Sequence, residues 1–298
     1  MKRRFKSQAA RDLRWVLRSP MLLEHPCAVE PGWGMRESDR YRGVLSMLDD
    51  SGSSLASAVR GLSSGRLGEY FELLVSSWID AVPPAELLAS NWQAFGGQGT
   101  IGEYDLLFRR DTYIHHWELA IKFYLGHPGP FGKSCWFGPN PADRLDRKWA
   151  KMRGQQLRLP SHPAGRGALR MLGIKDEVHS RAFIKGYLFL PLDDDFAVEM
   201  PIDVNLEGLR GWWTHRGRLG HHRARLDPDD CLRWISLPRL RWMSPVYVES
   251  SDRLYPFDDL LESLFPQNYH LLAGVKETDQ GLREVTRGFV VPDGWPTA

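Results

Sequence analysis

Two neighbouring segments place isolated charges inside runs that otherwise read as buried strand. They are Gly102-Glu103-Tyr104-Asp105-Leu106-Leu107-Phe108 and His116-Trp117-Glu118-Leu119-Ala120-Ile121-Lys122-Phe123. Side chains alternate across a strand, so Trp117, Leu119, Ile121 and Phe123 are expected on a core face, with His116, Glu118, Ala120 and Lys122 on the other. In the first segment Tyr104, Leu106 and Phe108 are expected to oppose Glu103 and Asp105. A short turn at Asp111-Thr112 would close the two strands into an antiparallel hairpin. Two carboxylates and an amine then share one polar wall, which is the raw material for holding a cation or moving a proton.

The elements that must position this wall can be read from periodicity. Leu67, Phe71, Leu74, Val75 and Trp78 recur at helical spacing, with Glu69 and Glu72 about one turn apart, and Pro83-Pro84 ends the helix. A weaker strand around Asn91 to Phe95 and a Gly96-Gly97-Gln98-Gly99 turn precede the hairpin. A Gly- and Pro-rich loop from Gly126 to Pro141 leads to a helix expected from Ala142 to about Leu159, which carries Lys148, Gln155 and Gln156. A further strand is expected at Arg181 to Leu190. Before Leu62 the chain reads as short helices; beyond Glu199 it is mixed, with a helix at Pro256 to Phe265 and two short strands between His270 and Val291. The expected organisation is a helical N-terminal segment (1–64), a core (65–195) and a mixed C-terminal extension (196–298).

At 298 residues, with 42% hydrophobic and 26% charged residues, the chain can bury a core and is not of disordered composition. A net charge of +2 does not by itself call for a polyanionic partner, but the basic residues cluster. Lys2, Arg3, Arg4, Lys6, Arg11, Arg14 and Arg18 face only Asp12. Arg216, Arg218, Arg223 and Arg225 lie in a second basic stretch, from Arg210 to Arg241, interleaved with Trp212, Trp213, Trp234 and Trp242. That stretch has two readings: arginine pairing with phosphate beside aromatic stacking, or a solvated surface with tryptophans turned to the core. Cys27, Cys135 and Cys231 lack paired spacing, and no segment is long and apolar enough for a signal peptide or membrane span. A soluble cytoplasmic protein is expected.

The order helix, three-stranded meander, helix, strand, together with Leu67-Gly68-Glu69-Tyr70-Phe71-Glu72, Gly102 to Leu107, His116 to Leu125, Gly138-Pro139-Asn140, Asp143 to Lys148 and Gln156-Leu157, resembles the PD-(D/E)XK nuclease-like superfamily. More closely, it is similar to an uncharacterised bacterial family bearing a domain-of-unknown-function label. The resemblance covers roughly Gly65 to Leu190 and implies an α/β, restriction-endonuclease-like core. It implies that Asp105 and Glu118 hold Mg²⁺ or Mn²⁺, with the Leu119 carbonyl as a further ligand and Glu72 assisting, Glu69 standing in reserve. The implied activity is hydrolysis of nucleic-acid phosphodiesters, with DNA favoured over RNA as partner; the rival is a catalytically degenerate module that binds nucleic acid or protein.

The superfamily's lysine two residues after the acid is missing, because that position is Ala120. Lys122, the next amine on the face, lies roughly 13 Å from Glu118 along a regular strand. Either a bulge brings Lys122 closer or Lys148 from the following helix supplies the charge, with Gln156 holding water or substrate. His115-His116, and His215, His221 and His222 near Cys231, lack a recognised ligand spacing and are expected to be surface histidines.

Overall fold

The computed structural model describes residues 5–62, 64–97, 99–129, 133–279 and 281–297. Lys2, Arg3 and Arg4 of the basic start and Gln98 of the glycine turn lie outside the described residues. In chain order the elements are α1 (Gln8–Arg18), α2 (Trp33–Arg40), α3 (Arg42–Met47), α4 (Ser54–Arg60), α5 (Leu67–Ala81), β1 (Glu86–Gly96), β2 (Gly99–Arg110), β3 (Tyr113–Pro128), β4 (Ser134–Phe137), α6 (Leu145–Gly154), α7 (Pro163–Met171), β5 (Val178–Pro191), β6 (Leu209–His215), α8 (Arg223–Leu226), β7 (Arg233–Leu237), α9 (Phe257–Ser263), β8 (His270–Lys276) and β9 (Arg283–Val291). The described strands form a nine-stranded mixed sheet. Among the described residues no helix is long and apolar enough to cross a membrane.

The chain divides into two compact units. The first comprises Met1–Lys122, Arg147–Gly186 and Asp203–Gly208. Its strands run β1-β2-β3-β5, and α5 and α6 flank the meander in sequence. Helix α5 buries Leu67, Tyr70, Phe71, Leu74, Val75, Trp78 and Ile79, the stripe its spacing predicts. Phe71 stacks on Phe183 of β5, and Phe183 stacks on Trp117 of β3 at 5.1 Å between centroids. The opposite face carries Ala94, Tyr104, Leu107 and Ile114 beneath Leu159, Ala168 and Leu169. Both faces are therefore covered, and the second face of β3 is not solvated: His116 and Glu118 are each 0% exposed. This corrects the expected surface histidine at position 116.

The hairpin turns at Asp111-Thr112, with Arg110 opposite Tyr113 and the ladder running to Leu106 opposite Trp117. There the alternation on β2 breaks. Tyr104 packs with Leu107 and edge-on to His116, whereas Phe108 packs edge-on to Trp117. The helix expected over 142–159 is shorter. After Gly154 it gives way to a 3₁₀ segment, Gln156–Ser161, that contains Pro160. Proline has no N–H to continue an α-helical ladder and is compatible with a short, tighter turn.

The second unit comprises Phe123–Asp146, Tyr187–Ile202 and Leu209–Ala298. Its strands run β5-β6-β9-β8-β7, with β5-β6 and β6-β9 parallel and the rest antiparallel. Trp212 and Trp234 lie in a core with Leu219, Phe257, Leu260 and Leu272. Trp213 and Trp242 are also buried. The interleaved tryptophans therefore face the core, as the second of the two sequence readings has it.

Candidate functional site

The site lies wholly within the first unit and starts where the β2–β3 ladder stops. One residue beyond the Leu106–Trp117 pair, the Asp105 carboxylate accepts the Leu119 N–H at 2.8 Å. A side chain thus takes a donor that a regular ladder would give to backbone, and this holds Asp105 against β3 beside Glu118. The two carboxyls are close enough for each to bear on the other's ionisation.

Glu118 is tethered through both oxygens. Oε1 lies 2.9 Å from Nε2 of His116, and Oε2 accepts from the side-chain amide of Gln156. The Gln156 Oε1 in turn accepts from Nζ of Lys148 at 3.2 Å. Three elements converge here: strand β3, helix α6 and the 3₁₀ segment. Their meeting requires α6 to stop at Gly154, because the 3₁₀ segment that follows carries Gln156 to Glu118.

A cleft of about 670 Å³ opens beside the pair. Glu72, Glu103, Asp105 and Gln156 line it, together with the cations Lys151 and Arg158. Burial pushes Asp105 up to about 7, with the Glu118 charge adding to the shift. Burial likewise pushes Glu118 up to about 7, opposed by Lys148. Glu72 also rises to about 7, through burial and then the charges of Asp105, Glu103 and Glu69. Burial lowers the Lys148 amine, and the neighbouring Lys122 charge lowers it further. His116 falls to about 4 by burial, so it is neutral at pH 7. Beside them the buried Tyr104 hydroxyl has no hydrogen-bond partner among the described residues.

The crowded, partly desolvated carboxyls repel one another, a repulsion that the charge of a hard divalent cation would offset. Among the described residues no group of three or more His, Cys, Asp or Glu side chains is placed to hold a metal ion. A two-carboxylate anchor is nonetheless a donor set compatible with Mg²⁺, which keeps several waters and takes substrate phosphate oxygens.

Both acids sit above their unfolded values, near 4, so their contribution favours folding at low pH and is lost as pH rises toward 7. Asp105→Asn keeps an acceptor for Leu119 and removes one charge. In chelator at pH 8 it is expected to stabilise the fold by on the order of 1–2 kcal/mol, with a smaller gain at pH 5. Urea denaturation at the two pH values checks this; equal or lower stability at pH 8 would contradict it.

Of the residues anticipated from sequence, Asp105, Glu118, Leu119, Lys148 and Gln156 come together, Glu72 shares the cleft, and Lys122 stands near Lys148. His116 and Ser180 were missed as partners, although the His-x-Glu spacing places His116 and Glu118 on one strand face. The arginines lie in the second unit and have local partners. Arg216 donates to the carbonyls of Leu261 and Leu264, and Arg218 pairs with Asp193 at 2.9 Å. Arg223 pairs with Asp230 at 3.1 Å and Arg225 with Asp194 at 3.3 Å. His222 bonds Asp193 and His215 bonds the Trp295 carbonyl, so they do not gather around Cys231 as ligands.

The family described as "Domain of unknown function (DUF1853)" matches residues 11–291. The chain belongs to this family. No curated protein and no solved structure matches it. The match spans both compact units, so the family is defined by more than the stretch that carries the carboxylates.

Proposed function

We propose that this chain is a metal-dependent nuclease built on a PD-(D/E)XK-like, restriction-endonuclease-like core, hydrolysing nucleic-acid phosphodiesters. The observation that carries the reading is Asp105 on the cleft wall beside the buried Glu118, which is joined through Gln156 to Lys148. In this reading Asp105, Glu118 and the Leu119 carbonyl hold Mg²⁺ or Mn²⁺, with Glu72 as a further carboxylate. Such an ion lowers the pKa of an attacking water and offsets charge on the phosphate. Gln156 keeps the Glu118 carboxylate oriented and presents the Lys148 amine to the same site. Lys151 and Arg158 give the phosphate backbone its countercharge. Arg216, Arg218, Arg223 and Arg225, already engaged locally, are assigned no direct phosphate contact.

Incubation with single-stranded, double-stranded and branched DNA and RNA, in Mg²⁺ or Mn²⁺, tests the reading. Cleavage lost in chelator supports it, and the absence of cleavage across the panel contradicts it. Lys148 is the expected amine, because Gln156 links it to Glu118. Lys148→Ala is therefore expected to lower the rate at least about tenfold more than Lys122→Ala, or about 1.4 kcal/mol of barrier. Equal rates in the two variants would remove Lys148 from the mechanism.

A second reading, a degenerate binding module, is favoured by Ala120 at the superfamily's lysine position. It predicts retention of nucleic acid or a protein partner in chelator with affinity unchanged by Asp105→Ala.

A further inference from the structure

We infer that His116 is a positioning residue that locks the carboxylate of Glu118 for cation binding, and that the Ser180 hydroxyl in turn locks His116. The inference rests on the metal-site reading above. It starts from a complete set of partners around a buried ring. Nε2 of His116 lies 2.9 Å from Glu118 Oε1, and Nδ1 lies 3.0 Å from Oγ of Ser180 on the neighbouring strand β5. The edge-on contact with Tyr104, at 4.7 Å between centroids, helps to fix the ring plane.

The roles follow from donor and acceptor chemistry. A carboxylate that holds a cation is ionised and only accepts, so in that state Nε2 carries the proton; Nδ1 then accepts from the serine hydroxyl. The Ser180–His116–Glu118–Gln156–Lys148 chain is thus polarised in a single consistent pattern, with Glu118 receiving from both sides. Each Glu118 oxygen retains a lone pair, while rotation of the carboxylate would break one of two buried hydrogen bonds. Groups that hold a ligand in place are worth about 10–100-fold in metal affinity. A histidine that merely filled space could be replaced by an apolar ring of similar size without that loss.

Calorimetric titration of the full chain with Mn²⁺ separates these cases. His116→Phe is expected to weaken Mn²⁺ binding by about 10–100-fold, while His116→Gln, whose amide can donate to Glu118, recovers most of the affinity. Ser180→Ala is expected to weaken binding less than His116→Phe, because the carboxylate still keeps the proton on Nε2 while Nδ1 loses only its donor. Unchanged affinity in folded His116→Phe overturns the inference, as does a loss that His116→Gln fails to relieve. Should His116→Phe not fold, long-range ¹H–¹⁵N spectra of the wild type decide: the Nε2–H tautomer supports the assignment, and the Nδ1–H tautomer or imidazolium overturns it. Failure of the wild type itself to bind Mn²⁺ would sink the metal-site reading, and this role with it. Wild-type binding with no effect of His116→Phe would overturn this role alone.

Discussion

Asp105→Ala and Glu118→Ala are each expected to lower metal-dependent cleavage by about a thousandfold or more, ~4 kcal/mol of barrier, with near-native circular dichroism. Asp105, on the cleft wall, is held by the Leu119 N–H, and the buried Glu118 beside it by the Gln156 amide, so removing either leaves half of a two-carboxylate anchor. Loss of either ligand removes both activation of water and charge compensation at phosphate, which act through the same ion. The two variants differ in what remains. In Asp105→Ala the Leu119 N–H loses its acceptor at the end of the ladder. In Glu118→Ala both His116 and Gln156 lose theirs in buried surroundings, so its stability is expected to fall further, by about 1–3 kcal/mol for each stranded donor. Initial rates with the best substrate of the panel, paired with urea midpoints, check both expectations. Activity within tenfold of wild type in either variant would remove that carboxylate from the chemistry.

Gly186→Ala is expected to be the most damaging small substitution in the first unit, destabilising by about 4 kcal/mol or more or leaving no soluble native protein. Gly186 lies on β5 at φ +148°, a conformation that L side chains rarely adopt. A Cβ there would stand 1.7 Å from the Lys122 carbonyl oxygen and 2.7 Å from its carbon. Both obstacles are backbone of the neighbouring strand, so no rotamer change relieves them. The β3 segment they would displace also carries Glu118. Gly43→Ala in α3 is the matched control. Nothing lies within 4 Å of its added methyl, and alanine is the better helix former in the first turn of α3. Chemical denaturation of both variants beside the wild type is decisive: a Gly186→Ala protein as stable as wild type would contradict the close-approach account.

The alternation of Trp117, Leu119 and Ile121 with His116 and Glu118, and the turn at Asp111-Thr112, are enough by themselves to bring Asp105 and Glu118 side by side. Likewise the spacing of Phe71, Leu74, Val75 and Trp78 determined which stripe of α5 is buried. These are short-range consequences of strand and helix periods, carried by the chain's own pattern. What packs on each face is a different quantity, and only the tertiary structure decided it. His116 and Glu118 share a face in sequence, but that face is buried because the residues from Leu159 to Leu169 cover it, and Ser180 reaches His116 from β5. The choice of Lys148 as the amine linked to Glu118 likewise depends on a helix that stops at Gly154 and a 3₁₀ segment that turns Gln156 back onto β3. The stretch holding the arginines of the second unit had two readings in sequence, and the structure gives Arg218 and Arg225 partners, Asp193 and Asp194, that lie well before them in the chain. Periodicity determines which side chains travel together. The distances that turn them into a site are set by long-range packing, which one segment's pattern does not contain.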